Sequence, residues 1–328
     1  MAEDGAEQQP VIEFLIDAFS QVQLWLFEAL VQPLVFGLGG GNLLEDAFAA
    51  TGWLLVGMLQ IAVMLLLLWP LERWRPVEAV NDPAAVRTDV VYTLIHRLGL
   101  FRLALFFSID PLWDSLAGAM RMQGLPTLQI DALWPGVTDI AIVSFCIYLL
   151  LLDLVNYWLH RWQHASNLWW ALHSLHHSQR QMTMWSDNRN HLLDDLLLSA
   201  IFALLARLIG VEPGQFVALV AVSQLMESLQ HANLKLGFGP LEYLLVSPRF
   251  HRLHHSIGIG HESSGPGTLG GHNFGVLFPV WDMLFGTANF EMRWDATGVR
   301  DQLPAEGGRD YGRGFWQQQW LGLRRLFS

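Results

Sequence analysis

The amino-acid sequence predicts an all-α, polytopic membrane protein, and three observations support this fold class. Of the 328 residues, 52% are hydrophobic and only 15% are charged, whereas about a quarter are charged in typical soluble domains. Several apolar runs approach the roughly 20 residues that a helix needs to cross a bilayer. The 15 tryptophans belong to a residue type enriched at membrane–water interfaces. The net charge of -11 argues against a nucleic-acid partner, because phosphate backbones bind basic surfaces.

About five apolar segments are predicted to span the membrane. The first has no charged side chain, the second contains His96, Arg97 and Arg102, and a Gly-Val-Glu-Pro-Gly turn separates the last two. Residues 11–36 are also apolar but carry acidic side chains, so we expect an interfacial or re-entrant helix there. The predicted spans are residues 47–71, 90–109, 137–158, 192–209 and 213–229.

The distribution of basic residues predicts the orientation. Arg and Lys favour the cytoplasmic side of a membrane, and the first basic residues of the chain, Arg73 and Arg75, follow the first span. Alternation from there places the histidine-rich segments at the cytoplasmic face, of the inner membrane in a bacterium or of the endoplasmic reticulum in a eukaryote. The expected division is an extracytoplasmic or interfacial segment (1–46), three spans (47–158), a histidine-rich catalytic region with two spans (159–287) and a cytoplasmic tail ending in an amphipathic segment (288–328).

Histidine is concentrated in one part of the chain, since all but one of the 13 histidines lie within residues 160–272. The first cluster ends the third span, where Asp153, Tyr157, His160 and His164 share one face of a helix at spacings i, i+4, i+7 and i+11. Two imidazoles four residues apart can hold one metal ion. Asp153 and Tyr157 are placed to orient their ring nitrogens.

Two further clusters repeat a His-x-x-His-His pattern, which turns three imidazoles toward one side of a helical turn. With the first pair they would bring eight rings together, a ready set of metal ligands when neutral. One structural zinc needs only four ligands, so the set indicates two ions. The single cysteine, Cys146, leaves no thiolate cluster for an iron–sulfur centre or a Cys-rich zinc site, while imidazole suits zinc, copper, iron and nickel. The two clusters are His173, His176, His177 and His251, His254, His255.

The three clusters, in this order and between apolar runs, resemble the histidine boxes of the fatty acid hydroxylase/sterol desaturase superfamily. The resemblance covers roughly residues 87–286 and includes the closing Asn273-Phe-Gly275 and Trp281-Asp-Met-Leu-Phe-Gly-Thr287. It implies a membrane-bound non-haem di-iron oxygenase that uses O₂ to hydroxylate or desaturate a lipid. By the same resemblance the iron ligands are His160, His164, His173, His176, His177, His231, His251, His254 and His255.

Positions outside the boxes also match the family's pattern. His231 lies in a Gln-His-Ala-Asn segment similar to the family's His-x-Asn, and Glu227, one turn earlier, could orient its ring. His191 and Asp194 lie in a segment similar to the family's His-Pro-Leu-Glu, with two departures. They could bind metal or orient a ligand, or they could contact a lipid headgroup. The closing segment adds two further candidates for the site, His272 and Asn273.

The substrate and the reaction stay open at this level. A fatty acyl lipid, a sterol, a carotenoid or an amino-lipid could be hydroxylated, or desaturated at the same centre. Outside this chemistry the alternatives are a zinc-dependent membrane hydrolase and a histidine-rich metal transporter. Histidines at the ends of spans argue against a transporter, whose ligands would lie near the bilayer midplane. No haem or flavin motif is visible, so we expect a separate reductase to supply electrons. Zinc could replace iron on overexpression.

The second predicted span carries three basic side chains, His96, Arg97 and Arg102, where ionisable groups are costly and often functional. They could snorkel or pair with an acid such as Asp89, or they could receive a polar or anionic lipid headgroup. Arg102 lies about 15 residues, or on the order of 20 Å, into its span from Arg87, too deep to touch the metal centre. It could bind a headgroup only if the span bends or a polar cavity reaches inward.

Overall fold

Helices form the regular structure of the chain in the computed structural model, which describes residues 4–124, 128–258 and 271–327, with side chains from residue 13. Within those residues the only β-type pairing is one antiparallel bridge between Ser256 and Thr297. The predicted all-α class is confirmed.

Two long helical segments form an N-terminal hairpin. Gln23 Nε2 donates to the Phe48 carbonyl at 3.0 Å, and the rings of Phe27 and Phe48 meet edge to face at 5.3 Å. Each segment contains a π-helical turn that joins two α-helices. The four helices are α1 (Asp4–Leu26), α2 (Gln32–Gly37), α3 (Leu44–Val63) and α4 (Trp69–Trp74).

Three segments of the described chain are long and apolar enough to cross a membrane, namely Glu13–Gly37, Gly41–Trp74 and Ala141–Ala165. A fourth would be the bent pair α5 (Pro83–Arg97) and α6 (Leu100–Ser108), if the pair is counted as one span. The chain is thus an integral membrane protein.

The set of candidate spans differs from the expected five. The segment expected to be interfacial, residues 11–36, corresponds to the candidate Glu13–Gly37. The last two expected spans form helices at the expected places, but neither is among the candidates. One physical reason is that the first of them includes Asp194, Asp195 and Arg207, which raise the cost of transfer into lipid.

The bend between α5 and α6 measures 48°. Gly99, at the break, has a left-handed φ of +81°, a conformation that glycine adopts without steric cost. The end of α5 lies directly against α3 at Gly57, where an added Cβ would lie 1.6 Å from the Arg97 carbonyl oxygen. Glycine at this position therefore allows the two backbones to touch.

The middle of the chain builds a second helical layer. Ser166 ends one helix and caps the next, its hydroxyl accepting from Trp169 N at 3.3 Å, so the chain folds back after the first histidine cluster. Gly210 ends another helix in the left-handed conformation, and Tyr148 donates to the carbonyls around that turn at 3.2 Å. The helices are α7 (Asp110–Met122), α8 (Ala141–Ala165), α9 (Asn167–His177), α10 (Leu192–Ile209) and α11 (Pro213–His231).

One end of the bundle carries a cap that holds the histidines. Glu72, at the end of α4, accepts from Met184 N at 2.8 Å and from Asn233 N at 2.7 Å, which anchors the cap to the long helix. The short helices of the cap are α12 (Pro248–His254), α13 (Val280–Phe285) and α14 (Phe315–Arg325). The segment expected to be amphipathic is α14, and Arg325 Nε of α14 donates to the Ala171 carbonyl of α9 at 2.9 Å.

Candidate metal centre

The first group of histidines combines the first cluster with two rings from α9 and one from α12. His160 and His164 lie at the end of α8, where a continuous helix places them on one face. Two rings from α9 and one from α12 face them, and one donor nitrogen from each of the five lies within 4.8 Å of the others. All five residues are buried. The group consists of His160, His164, His173, His177 and His254.

A second group lies beside the first and contains His176, His231, His251 and His255, all buried, with donor nitrogens again within 4.8 Å of one another. The Nε2 atoms of His176 and His231 are 3.1 Å apart, as are those of His231 and His251 and those of His251 and His255. One metal ion bound at about 2.0–2.1 Å would separate neighbouring imidazole nitrogens by roughly 2.9–3.4 Å, depending on geometry. The spacing of this group therefore fits a single ion.

Each His-x-x-His-His cluster contributes to both groups, a division that the linear pattern does not show. His173 and His177, four residues apart, belong to the first group, while His176 belongs to the second. In the other cluster the assignment is reversed: His251 and His255 belong to the second group and His254 to the first. The two short helices α9 and α12 therefore connect the two groups.

The donor set suits two ions without a sulfur ligand. Every member of both groups is an imidazole, a ligand type that binds iron, zinc, copper and nickel. His173 Nε2 is buried and has no hydrogen-bond partner among the described residues, which is costly unless a ligand satisfies it. Burial, together with the neighbouring imidazoles, holds the pKa of His176 and of His251 well below the usual histidine range. Both rings are thus neutral at physiological pH, as coordination requires.

Backbone carbonyls hold several of the rings by Nδ1. The Nδ1 atom of His160 is 2.9 Å from the Phe274 carbonyl oxygen, that of His231 is 2.8 Å from the Glu227 carbonyl, and that of His254 is 2.7 Å from the His272 carbonyl. An Nδ1–H that donates to a carbonyl leaves Nε2 as the atom with a free lone pair. These contacts therefore fix both the tautomer and the direction of each ring. Glu227 and His272 act here through their backbone.

Asp194 holds a fourth ring by its carboxylate. Its Oδ2 lies 3.2 Å from His173 Nδ1, and the same carboxylate accepts from Gln163 Nε2 at 2.9 and 3.0 Å and from Trp169 Nε1 at 2.5 Å. Sequence reasoning missed Gln163 and Trp169. Gln163 is three residues beyond His160 on the same helix, a spacing that could have marked it. His191, in contrast, lies in neither group: its Nε2 is 2.9 Å from the Gln319 carbonyl of α14.

The other candidates near the boxes anchor the closing segment. Asp153 accepts from Leu277 N at 2.9 Å, from Phe278 N at 3.1 Å and from Trp281 Nε1 at 3.0 Å. Its carboxylate thus fixes the loop whose carbonyl contacts His160, rather than touching a ring nitrogen itself.

Tyr157 and Asn273 tie the same segment to its surroundings. Tyr157 Oη lies 2.9 Å from Thr287 Oγ1. Asn273 donates to the carbonyls of Phe250 and Asn289, both at 2.9 Å. The ring of His272 faces Asn289 and lies in neither histidine group.

A cavity of about 340 Å³ connects both histidine groups with the apolar interior of the helices. His160 and His173 of the first group and His176, His231 and His251 of the second line one part of it. Apolar surface predominates in its other walls, which also contain polar side chains such as Gln60 and Gln224. The apolar residues include Phe101, Leu105, Leu149, Phe202, Phe216 and Leu219.

The three basic residues of the bent pair all line this cavity but differ in their partners. Arg97 donates to Asp187 Oδ2 at 2.8 Å, to the Gln224 side chain at 2.7 Å and to the Gln224 carbonyl at 2.9 Å. His96 Nε2 lies 3.2 Å from Asp195 Oδ2.

Asp89 pairs with neither Arg97 nor His96, since its carboxylate pairs with Arg189. The guanidinium of Arg102 lies 4.5 Å from the ring of Trp53 and 5.9 Å from that of Phe216. Thus two of the three basic residues are paired within the protein.

An all-helical membrane bundle with a capped, two-part histidine cage is the class of protein that this geometry defines. The family model described as fatty acid hydroxylase matches residues 145–287, which include all nine grouped histidines. This region of the chain is therefore similar to the fatty acid hydroxylase family.

Curated relatives share the same part of the chain. An ornithine lipid hydroxylase from Rhizobium tropici is 26% identical over 231 residues, 70% of this chain and 65% of that protein. An alkylglycerol monooxygenase from Danio rerio is 30% identical over 135 residues, 41% of this chain and 28% of that protein. A methylsterol monooxygenase from Arabidopsis thaliana is 21% identical over 218 residues, 63% of this chain and 68% of that protein. The match thus spans less than two thirds of the first two relatives. No solved structure matches the chain.

Proposed function

We propose that this protein is an oxidoreductase that hydroxylates a membrane lipid with O₂ at a pair of iron ions. The observation that carries the proposal is the division of nine buried imidazoles into two adjacent groups beside a largely apolar cavity. The relatives named as lipid hydroxylase and monooxygenases support the same reaction class for this chain.

The protein's own side chains would hold the ions and line the cavity beside them. His160, His164, His173, His177 and His254 would hold one ion, and His176, His231, His251 and His255 the other. Iron bound there would supply the redox chemistry that activates O₂. Because apolar surface predominates in the cavity, a hydrocarbon chain can lie beside the ions.

The proposed hydroxylation requires electrons from outside the chain. In balance, R–H, O₂, two electrons and two protons give R–OH and water, so one oxygen atom enters the new C–OH bond and the other leaves as water. We propose a separate reductase as the donor. It would approach the cap, whose histidines lie on the same side as Arg73 and Arg75. The preference of arginine for the cytoplasmic side supports a cytoplasmic location for the cap.

Metal analysis and lipid mass spectrometry test the proposal together. The protein purified from cells grown with iron should carry two metal ions per chain, and cells that express it should contain a lipid that has gained one oxygen atom. A His176→Ala variant serves as the matched control for expression. One ion or none in active protein would overturn the two-ion centre. A lipid profile identical to that of the control would overturn the hydroxylase.

A desaturase on the same centre is the alternative product outcome, because both reactions begin with abstraction at a C–H bond. Its product would lack two hydrogen atoms instead of carrying an added oxygen. Hydrolysis by bound zinc would proceed without O₂. Product formation under anaerobic conditions would therefore contradict the oxygenase and support a zinc-dependent hydrolase.

A further inference from the structure

We propose that Arg102 binds the anionic group of an amphiphilic substrate, at the part of the cavity remote from the two histidine groups. The inference rests on the proposed function, because it names the chemical class of the lipid that the same site would take. It also assigns that lipid a direction, with its anionic group at Arg102 and its hydrocarbon chain extending toward the ions.

The guanidinium of Arg102 has no ion-pair partner among the described residues. Asp110 attracts it from a greater distance, but the Asp110 carboxylate pairs with Arg207 at 3.8 Å. No carboxylate lies within 4.0 Å of its guanidinium, and its close contacts are the rings of Trp53 and Phe216. Aromatic faces attract a cation but do not neutralise it. A cation in an apolar wall is stabilised most by an anion that shares its surroundings.

The other charged groups of the cavity have partners or lie far from Arg102. Arg97 and Asp187 pair with one another, as do His96 and Asp195. Glu227 lines the cavity as well, but it follows Phe216 by 11 residues on α11, about 16 Å along a regular helix. A ligand's own anion is therefore the group that can meet Arg102.

The bend between α5 and α6 brings Arg102 to the cavity. Gly99 lies at the break and itself lines the cavity, and the 48° change of direction takes α6 away from the line of α5. Arg102 follows Gly99 by three residues, so its side chain begins on the first turn after the bend. Of the two alternatives under which Arg102 could bind a headgroup, the bent span is present, and the cavity that reaches inward also carries polar side chains.

The length of α11 sets the distance between this cation and the metal centre. Phe216, beside Arg102, and His231, in the second histidine group, are 15 residues apart on one helix, about 22 Å at the regular rise. The residues between them that line the cavity include Val220, Ser223 and Gln224. A substrate held at Arg102 would therefore be oxidised well along its hydrocarbon chain, at a distance from its anionic group.

Two sources could supply such an anion, the carboxylate of a free fatty acid or the phosphate or carboxylate of a polar lipid headgroup. Binding is measured on the purified protein in a neutral detergent, at a pH where oleic acid is ionised, with four probes: oleate, oleyl alcohol, oleylamine and 1-oleoyl lysophosphatidate. Wild-type protein should bind oleate or lysophosphatidate roughly tenfold more tightly than oleyl alcohol, and oleylamine more weakly still. Preference for one of the two anions identifies the source.

Substitutions assign the preference to Arg102. Arg102→Leu should bind oleate and oleyl alcohol equally, while Arg102→Lys, which keeps the charge, should retain part of the preference. Arg73→Leu is the matched control, because Arg73 lies 4.0 Å from the ring of Trp69 but does not line the cavity. It should keep the full preference.

Two results would overturn the proposal: no anion preference in wild-type protein, or an unchanged preference in Arg102→Leu. Wild-type binding is measured without any variant, so the proposal can be tested even if Arg102→Leu fails to fold. The Arg102→Lys variant provides a second measurement. Binding needs neither iron nor O₂. If the proposed hydroxylase activity failed because metal or product was missing, these binding measurements would not be affected. The two failures can therefore be distinguished.

Discussion

Replacing Asp194 by asparagine tests whether its carboxylate orients a ligand of the proposed metal centre. The carboxylate accepts three different donors, from Gln163, Trp169 and the Nδ1 atom of His173. An amide of the same shape has one acceptor oxygen and one donor nitrogen, so at least one buried donor would face another donor. Leaving such a group unsatisfied costs about 1–3 kcal/mol, and loss of a partner that orients a metal-binding histidine lowers metal affinity about 10–100-fold.

The effect should fall on one ion, because His173 belongs to the first histidine group only. We expect Asp194→Asn to release one of two ions to a chelator that leaves the wild-type protein loaded, as measured by elemental analysis after dialysis against chelators of increasing affinity. Asp195→Asn is the control: it removes the neighbouring carboxylate, which contacts His96 and no member of either group. Equal metal retention by the two variants would refute the role given to Asp194.

Four further substitutions, with one control, separate metal binding from folding. His254→Ala and His176→Ala remove ligands from different groups, so each should lose one ion and all activity while the protein still inserts into membranes; residual turnover in either variant would exclude that residue as a ligand. Gly57→Ala should lower the melting temperature in detergent, since its Cβ would meet the Arg97 carbonyl at 1.6 Å and overpacking costs about 1–3 kcal/mol. Gly118→Ala, with open space around it, should not, and similar melting of the two would contradict this contact. Arg97→Leu should destabilise the protein by about 3–5 kcal/mol, because it leaves a buried carboxylate unpaired; an unchanged thermal or denaturant midpoint would show that the pair contributes little.

The sequence determined the helical class and the histidine set. Apolar runs of sufficient length predicted helices in a membrane because backbone groups in lipid must be satisfied within the segment. The histidine spacings predicted shared helix faces because residues three and four apart are neighbours on a helix. All nine histidines named as ligands lie in one of the two groups. Asp194 was expected to bind metal or to orient a ligand, although it departs from the family's pattern. Its contact with His173 supports the second of these roles.

Tertiary structure alone decided how the histidines divide between two sites and which basic residues are free to bind a ligand. His176 and His177 are adjacent in sequence but belong to different groups. A ring from α12 completes the first group, whereas rings from α11 and from the end of α12 complete the second, across long stretches of chain. The carbonyls that orient His160 and His254 come from Phe274 and His272, and a backbone carbonyl leaves no mark in the sequence.

The same holds for the basic residues of the bent segment, whose side chains look alike in sequence. Arg97 finds Asp187 across the bundle, whereas Arg102, beyond the bend at Gly99, contacts two aromatic rings in the cavity wall. Sequence spacing specifies the face of one helix. The partner that a side chain meets depends on how distant segments pack. Here packing places Arg97 in an ion pair with Asp187 and leaves Arg102 as a cation that can receive a ligand.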